Sequence, residues 1–95
     1  MSEESDRHPV QFTLYTRPQC QLCDRLEGLI APKLDALRRR GVEATLVKCN
    51  IDDDSELRRR YGLRIPVLTV DGDELLEGRP QAGDVERAFR NLLRR

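Results

Sequence analysis

The sequence predicts one mixed α/β domain with four strands and three helices. Three observations carry that expectation. A strand-like run is followed by a long helical pattern and a second strand-like run, which makes a βαβ unit. An Asp-Gly pair then marks a tight hairpin between two further strands. A final amphipathic segment closes the chain, and 95 residues leave room for nothing beyond a single small domain.

The elements follow in order. Residues 1–9 read as a flexible polar tail, and 10–95 as the domain. Val10-Gln-Phe-Thr-Leu-Tyr15 alternates apolar and polar residues, the period of a strand. Thr16 to Gln19 breaks the alternation at Pro18. From Cys20 a helical pattern runs through Leu22, Leu26, Leu29, Ile30, Leu34 and Leu37, with spacings mostly of three and four. Pro32 lies inside that pattern and removes one backbone hydrogen bond, so a kink or a broken helix is expected there. Gly41 stands where a C′ glycine ends a helix.

Val42 to Cys49 is the second strand, with Val42, Ala44 and Leu46 on one face. A βαβ connection makes the first two strands parallel. Asp53 and Glu56 have capping-box spacing, which predicts a short helix from about residue 54 to Gly62. Pro66 to Val70 is the third strand, Asp71-Gly72 the hairpin, and Asp73 to Glu77 the returning strand. The last helix is expected over 81–94, with Val85, Ala88, Phe89, Leu92 and Leu93 facing inward.

Composition excludes several classes of function. Seventeen basic and seventeen acidic side chains cancel, so neither nucleic acid nor an anionic membrane is expected as partner. No stretch approaches the ~20 apolar residues of a membrane-spanning helix. The first nine residues are acidic and polar, without the apolar run of an export signal. The expected location is therefore the cytoplasm, a reducing compartment. Three cysteines, an odd number, fit no disulfide framework.

The chemistry points to Cys20 and Cys23. The pair falls where the first strand gives way to the first helix. Backbone N–H groups at a helix N-terminus lack partners and carry positive potential. A thiolate at Cys20 is stabilised there, which lowers the pKa below the ~8.5 of a free thiol. Arg17 adds a positive charge nearby. Cys23, one turn further in and shielded, then resolves the mixed disulfide that Cys20 forms. Half a zinc site is the competing reading, but a structural site takes four ligands, and beyond the pair the chain offers only Cys49 and His8. A non-catalytic module holding a metal or an iron–sulfur cluster, and a redox sensor, are the alternatives to an enzyme.

Tyr15-Thr-Arg-Pro-Gln-Cys-Gln-Leu-Cys-Asp24 resembles the active-site segment of the glutaredoxin branch of the thioredoxin superfamily. Tyr61-Gly-Leu-Arg-Ile-Pro-Val-Leu68 is similar to the segment around that family's cis-proline. The resemblance implies a thioredoxin-like fold with sheet order 2-1-3-4 and a cis Ile65-Pro66 bond. It implies a thiol–disulfide oxidoreductase in which Pro66 faces the nucleophilic cysteine. Ile65 would offer its backbone to an extended substrate. Arg17 would bind a glutathione carboxylate, and Gly78 matches the glycine segment that holds the γ-glutamyl end. The partners implied are disulfide-containing proteins or glutathione, acting on a monomer. No dissociable cofactor is required, and glutathione serves as co-substrate. The chain departs from the glutaredoxin pattern with Gln21-Leu22 between the cysteines, and from the thioredoxin pattern in having no tryptophan.

The remaining features have simpler readings. Cys49, at the end of the second strand, is a small strand-end residue on the same side of the sheet as Cys20. Arg38 to Arg40 and Arg58 to Arg60 suit the dipoles of helix C-termini. Asp52 to Asp54 serve helix capping, without the alternation of a calcium loop. Phe12, Tyr61 and Phe89 belong to the core.

Overall fold

The structure, a computed structural model, describes residues 9–92. The expected tail lies outside those residues apart from Pro9, as do His8 and the inward position assigned to Leu93. Strand β1 spans Val10–Thr16, helix α1 Gln21–Arg39 and strand β2 Ala44–Asn50. A 3-10 turn at Ile51–Asp53 leads into helix α2, Ser55–Tyr61. Strands β3, Val67–Val70, and β4, Asp73–Glu77, precede helix α3, Ala82–Leu92. The sheet order is β2-β1-β3-β4. β1 and β2 are parallel, and the other two pairings are antiparallel.

The two sheet faces are covered unequally. Phe12, Leu14, Leu68 and Val70 pack under α1 and α3, against Leu26, Ile30, Leu34, Leu37, Val85 and Phe89. On the other face a smaller cluster joins Ile51, Tyr61 and Val67 with Tyr15, Leu57 and Ile65. All four residues of β3 are buried, because this inner strand has apolar cover on both sides.

Local chemistry explains the boundaries. α1 ends in a Schellman motif: the Gly41 amide donates to the Arg38 carbonyl and the Val42 amide to the Leu37 carbonyl, both at 3.0 Å. Gly41 takes φ +90°, which a Cβ would oppose. In the hairpin, Asp71 and Gly72 take φ +50° and +92°, as a type I′ turn requires.

Three expectations need correction. α1 is not broken at Pro32; one helix runs from Gln21 to Arg39. Pro32 and Gly28, whose carbonyl loses its partner, are both exposed, while buried Ile30 and Leu34 anchor the helix on either side. The cap of α2 is Asp54 instead of Asp53: its carboxylate accepts from the amides of Glu56 at 2.8 Å and Leu57 at 3.3 Å. Asp53 belongs to the preceding 3-10 turn. Leu22 falls outside the core stripe of α1 and is exposed.

Candidate active site

The register brings four chain segments to one end of the sheet. Tyr15 lies beside Cys49 on β2 and beside Val67 on β3, and Val67 lies beside Glu77 on β4. The segments just outside those positions are the loop from Arg17 to Cys20, the 3-10 turn, Ile65-Pro66, and Gly78 to Pro80. The Ile65-Pro66 peptide bond is cis. These segments lie up to 63 positions apart in the chain; the resemblance implied three of them in one site, and the register adds the 3-10 turn.

Cys20 is the N-cap of α1, in an extended conformation. Its Sγ accepts a hydrogen bond from the Cys23 amide at 3.1 Å. A sulfur thus takes the place that a serine or aspartate oxygen holds in an ordinary cap. The two cysteines form a disulfide, with Cα atoms 5.2 Å apart. Cys20 is half-buried, whereas Cys23 is only 2% exposed. Gln19, just before the pair, takes φ +59°, a left-handed conformation uncommon outside glycine and asparagine. Such backbone costs are concentrated where a functional side chain must be aimed.

The surrounding groups are engaged with one another. Arg17 donates from Nε to Asp52 Oδ1 at 3.1 Å, and its NH2 lies 3.1 Å from the same oxygen. Arg25, on the first turns of α1, donates to the Pro80 carbonyl at 2.6 Å and ties the dithiol helix to the β4–α3 loop. The Gly78 amide donates to the Pro66 carbonyl at 2.8 Å, and Gly78 takes φ +72°. The Ile65 amide donates to the Tyr61 carbonyl at 3.1 Å, and among the described residues no donor reaches the Ile65 carbonyl. Leu22 and the fully exposed Leu63 add apolar surface beside these segments.

The family model of the glutaredoxin-like domain (DUF836) matches residues 11–90. The chain belongs to this family. The glutaredoxin-like domain is similar to a structural-genomics target protein from X. campestris, at 35% identity and a TM-score of 0.62. That match covers 85% of this chain and 96% of the other. A protein from Nitrosomonas europaea, solved by NMR, is 26% identical over 84% of this chain and 91% of its own, with a TM-score of 0.61. The thioredoxin Deadhead of Drosophila melanogaster shares the fold at 17% identity, with a TM-score of 0.59 over 96% of this chain and 88% of its own. A thioredoxin fold with a CxxC pair at a helix start points to redox function.

Among the described residues of the glutaredoxin-like domain, no three His, Cys, Asp or Glu side chains group so as to hold a metal ion. No helix there is long and apolar enough to cross a membrane. Cys49 is a free, half-buried thiol on the same sheet face as its neighbour Tyr15. Tyr15 stacks on Tyr61 with ring centroids 4.4 Å apart, and burial, followed by the neighbouring Tyr61 and Cys49, pushes its phenol above the ordinary value. The sequence reading missed Asp52 as the partner of Arg17. The available signal was the parallel direction of the βαβ unit, which puts the ends of both strands on one side; the register that sets Asn50 beside Thr16 is seen only in the structure.

Proposed function

We propose that the protein is a thiol–disulfide oxidoreductase that reduces disulfide-containing proteins or glutathione mixed disulfides. The observation that carries this reading is the asymmetry of the pair. One sulfur is half-exposed and receives an amide at a helix N-terminus; the other is buried behind it. Cys20 acts as nucleophile. Its thiolate attacks a substrate disulfide, a Cys20–substrate bond forms, and the distal substrate sulfur leaves as a thiolate that takes up a proton. Cys23 then attacks Cys20, releases the second substrate thiol and leaves the Cys20–Cys23 disulfide. Two electrons pass to substrate, and a second thiol reductant, glutathione or a dithiol protein, returns them.

In this reading Arg17, Ile65, Pro66 and Gly78 form the substrate platform. Ile65 contributes its free carbonyl, and Gly78 holds Pro66 in place through its amide. The protein works as a cytoplasmic monomer without a dissociable cofactor, glutathione being a co-substrate. The odd cysteine count supports the reducing location.

The test is reduction of insulin disulfides with a dithiol as electron source, using wild type, Cys20→Ser and Cys23→Ser. Wild type turns over. Cys20→Ser is inactive, and Cys23→Ser accumulates a mixed disulfide seen by intact mass. Equal activity in all three proteins refutes the assignment.

A further inference from the structure

We propose that Asp52 is a specificity-determining residue, which biases the dithiol against anionic disulfides and toward disulfides in neutral or cationic surroundings. The inference rests on the thiol–disulfide reading above and names the substrate class of that site.

Arg17 stands three residues before Cys20, so their Cα atoms are at most about 11 Å apart. A charge at such a separation is felt at the sulfur in dilute buffer and is largely screened at physiological salt, where the screening length is ~8 Å. Alone, the guanidinium would attract a carboxylate-bearing substrate, because its fork of donors matches a carboxylate. Here Nε and NH2 both point at one oxygen of Asp52, at 3.1 Å. The positive charge beside the dithiol is neutralised within the protein.

Asp52 is also placed independently of Arg17. Its amide donates to Asn50 Oδ1 at 2.9 Å, and its carbonyl accepts from Arg58 at 2.7 Å. Both contacts use its backbone, so the end of β2 and the first turns of α2 set its position. The 3-10 turn presents Asp53 as a further exposed acid, and Asp24 is another in the first turn of α1. An incoming carboxylate therefore meets a pair without net charge, with Asp53 next to it and the Arg58 guanidinium on the Asp52 carbonyl.

The pair is partly exposed, and such pairs hold weakly. The expected effect is correspondingly moderate. One unit charge at about 10 Å corresponds to roughly twofold in a water-like dielectric, and to more near a protein surface at low salt. A bias of about two- to tenfold is expected at low salt.

The experiment follows oxidation of the reduced, full-length protein by three small disulfides, using timed alkylation and intact mass. Glutathione disulfide is anionic, bis(2-hydroxyethyl) disulfide is neutral and cystamine is cationic. Each rate is divided by the rate of the same disulfide with a free small thiol. The normalised wild-type order is cystamine, neutral disulfide, glutathione disulfide, and the spread contracts in high salt. Asp52→Asn keeps the backbone contacts of residue 52 and removes the charge. It raises the ratio of glutathione disulfide to neutral disulfide by about two- to tenfold at low salt, and Asp52→Glu restores the wild-type ratio. Arg17→Gln, whose effect does not depend on how Asp52→Asn folds, lowers the same ratio. An unchanged ratio in Asp52→Asn or in Arg17→Gln overturns the proposal while leaving the oxidoreductase reading intact. A wild-type protein that none of the three disulfides oxidises rejects that reading, and the proposal with it.

Discussion

At the scale of single residues, the protein depends on what lies within one turn of each titrating group. Cys20 occupies a helix cap, and the Cys23 amide already points at its sulfur in the oxidised state. On reduction the same amide faces a thiolate, which favours ionisation. In the Cys23→Ser variant, thiolate absorbance is expected to titrate with a midpoint below the ~8.5 of a free thiol. The rate of disulfide attack should rise through that midpoint, since only the thiolate is nucleophilic. A midpoint at or above the free value removes the basis for an activated nucleophile. Tyr15 shows the opposite effect, because burial holds its phenol in the neutral form. A raised folded-state value means that its contribution to stability is complete below about pH 10 and is lost as pH rises through the folded value. Tyr15→Phe should therefore show a shallower alkaline loss of stability than wild type in urea melts between pH 8 and 11, the chosen range. An identical alkaline limb in the two proteins excludes Tyr15 as its source.

At the scale of elements, capping decides where the short pieces begin. α2 has only seven residues and would be marginal alone. Asp54 accepts from two of its unpaired amides, whereas Asp53 caps nothing in α2. Asp54→Ala should destabilise the protein by about 1 kcal/mol, and Asp53→Ala by much less. Equal losses in denaturant titrations would show that the capping assignment is wrong. The consequence reaches function, because α2 sits between the turn that carries Asp52 and the loop that carries Ile65 and Pro66. α1 illustrates a second element-level rule. Proline inside a helix removes one hydrogen bond, but on an exposed face the freed carbonyl meets water and the buried stripe keeps its path.

At the scale of the whole molecule, stability rests on the face covered by α1 and α3. Phe12 and Phe89 stack with centroids 5.5 Å apart, joining the first inner strand to the last helix. Phe89→Ala should cost about 3–5 kcal/mol, a large share of the ~5–15 kcal/mol that holds a domain together. Thermal melts would show it, and a loss below ~1 kcal/mol would mean that α3 docks by other contacts. At the rim, Lys33 pairs with Glu86 across the same two helices and holds that carboxyl below its ordinary value. That contribution exists above the usual carboxylate range, fades as pH falls through the lowered value, and is screened by salt. The pairing Arg64 makes with Glu74 and Glu77 fastens the loop before Pro66 to β4, on the opposite edge of the site from Asp52.

The amino-acid sequence by itself determined the order of elements, the hairpin, the end of α1 and the two cysteines. Each of these is written in neighbours: period-two alternation, a three-four stripe, an Asp-Gly pair, a glycine after a helix. Leu26, Ile30 and Leu34 were readable as core for that reason, and Cys20 as the start of a helix because the three-four stripe begins beside it. Leu22 was misassigned because periodicity continues past the point where the partner surface ends. Only the tertiary structure decided that Arg17 meets Asp52, that Arg25 reaches Pro80, and that the Gly78 amide is spent on Pro66. Those contacts join residues 12 to 55 positions apart. They arise from strand register and sheet order, which a local pattern cannot specify, because hydrogen-bonding ends of separate strands become neighbours only when the sheet closes.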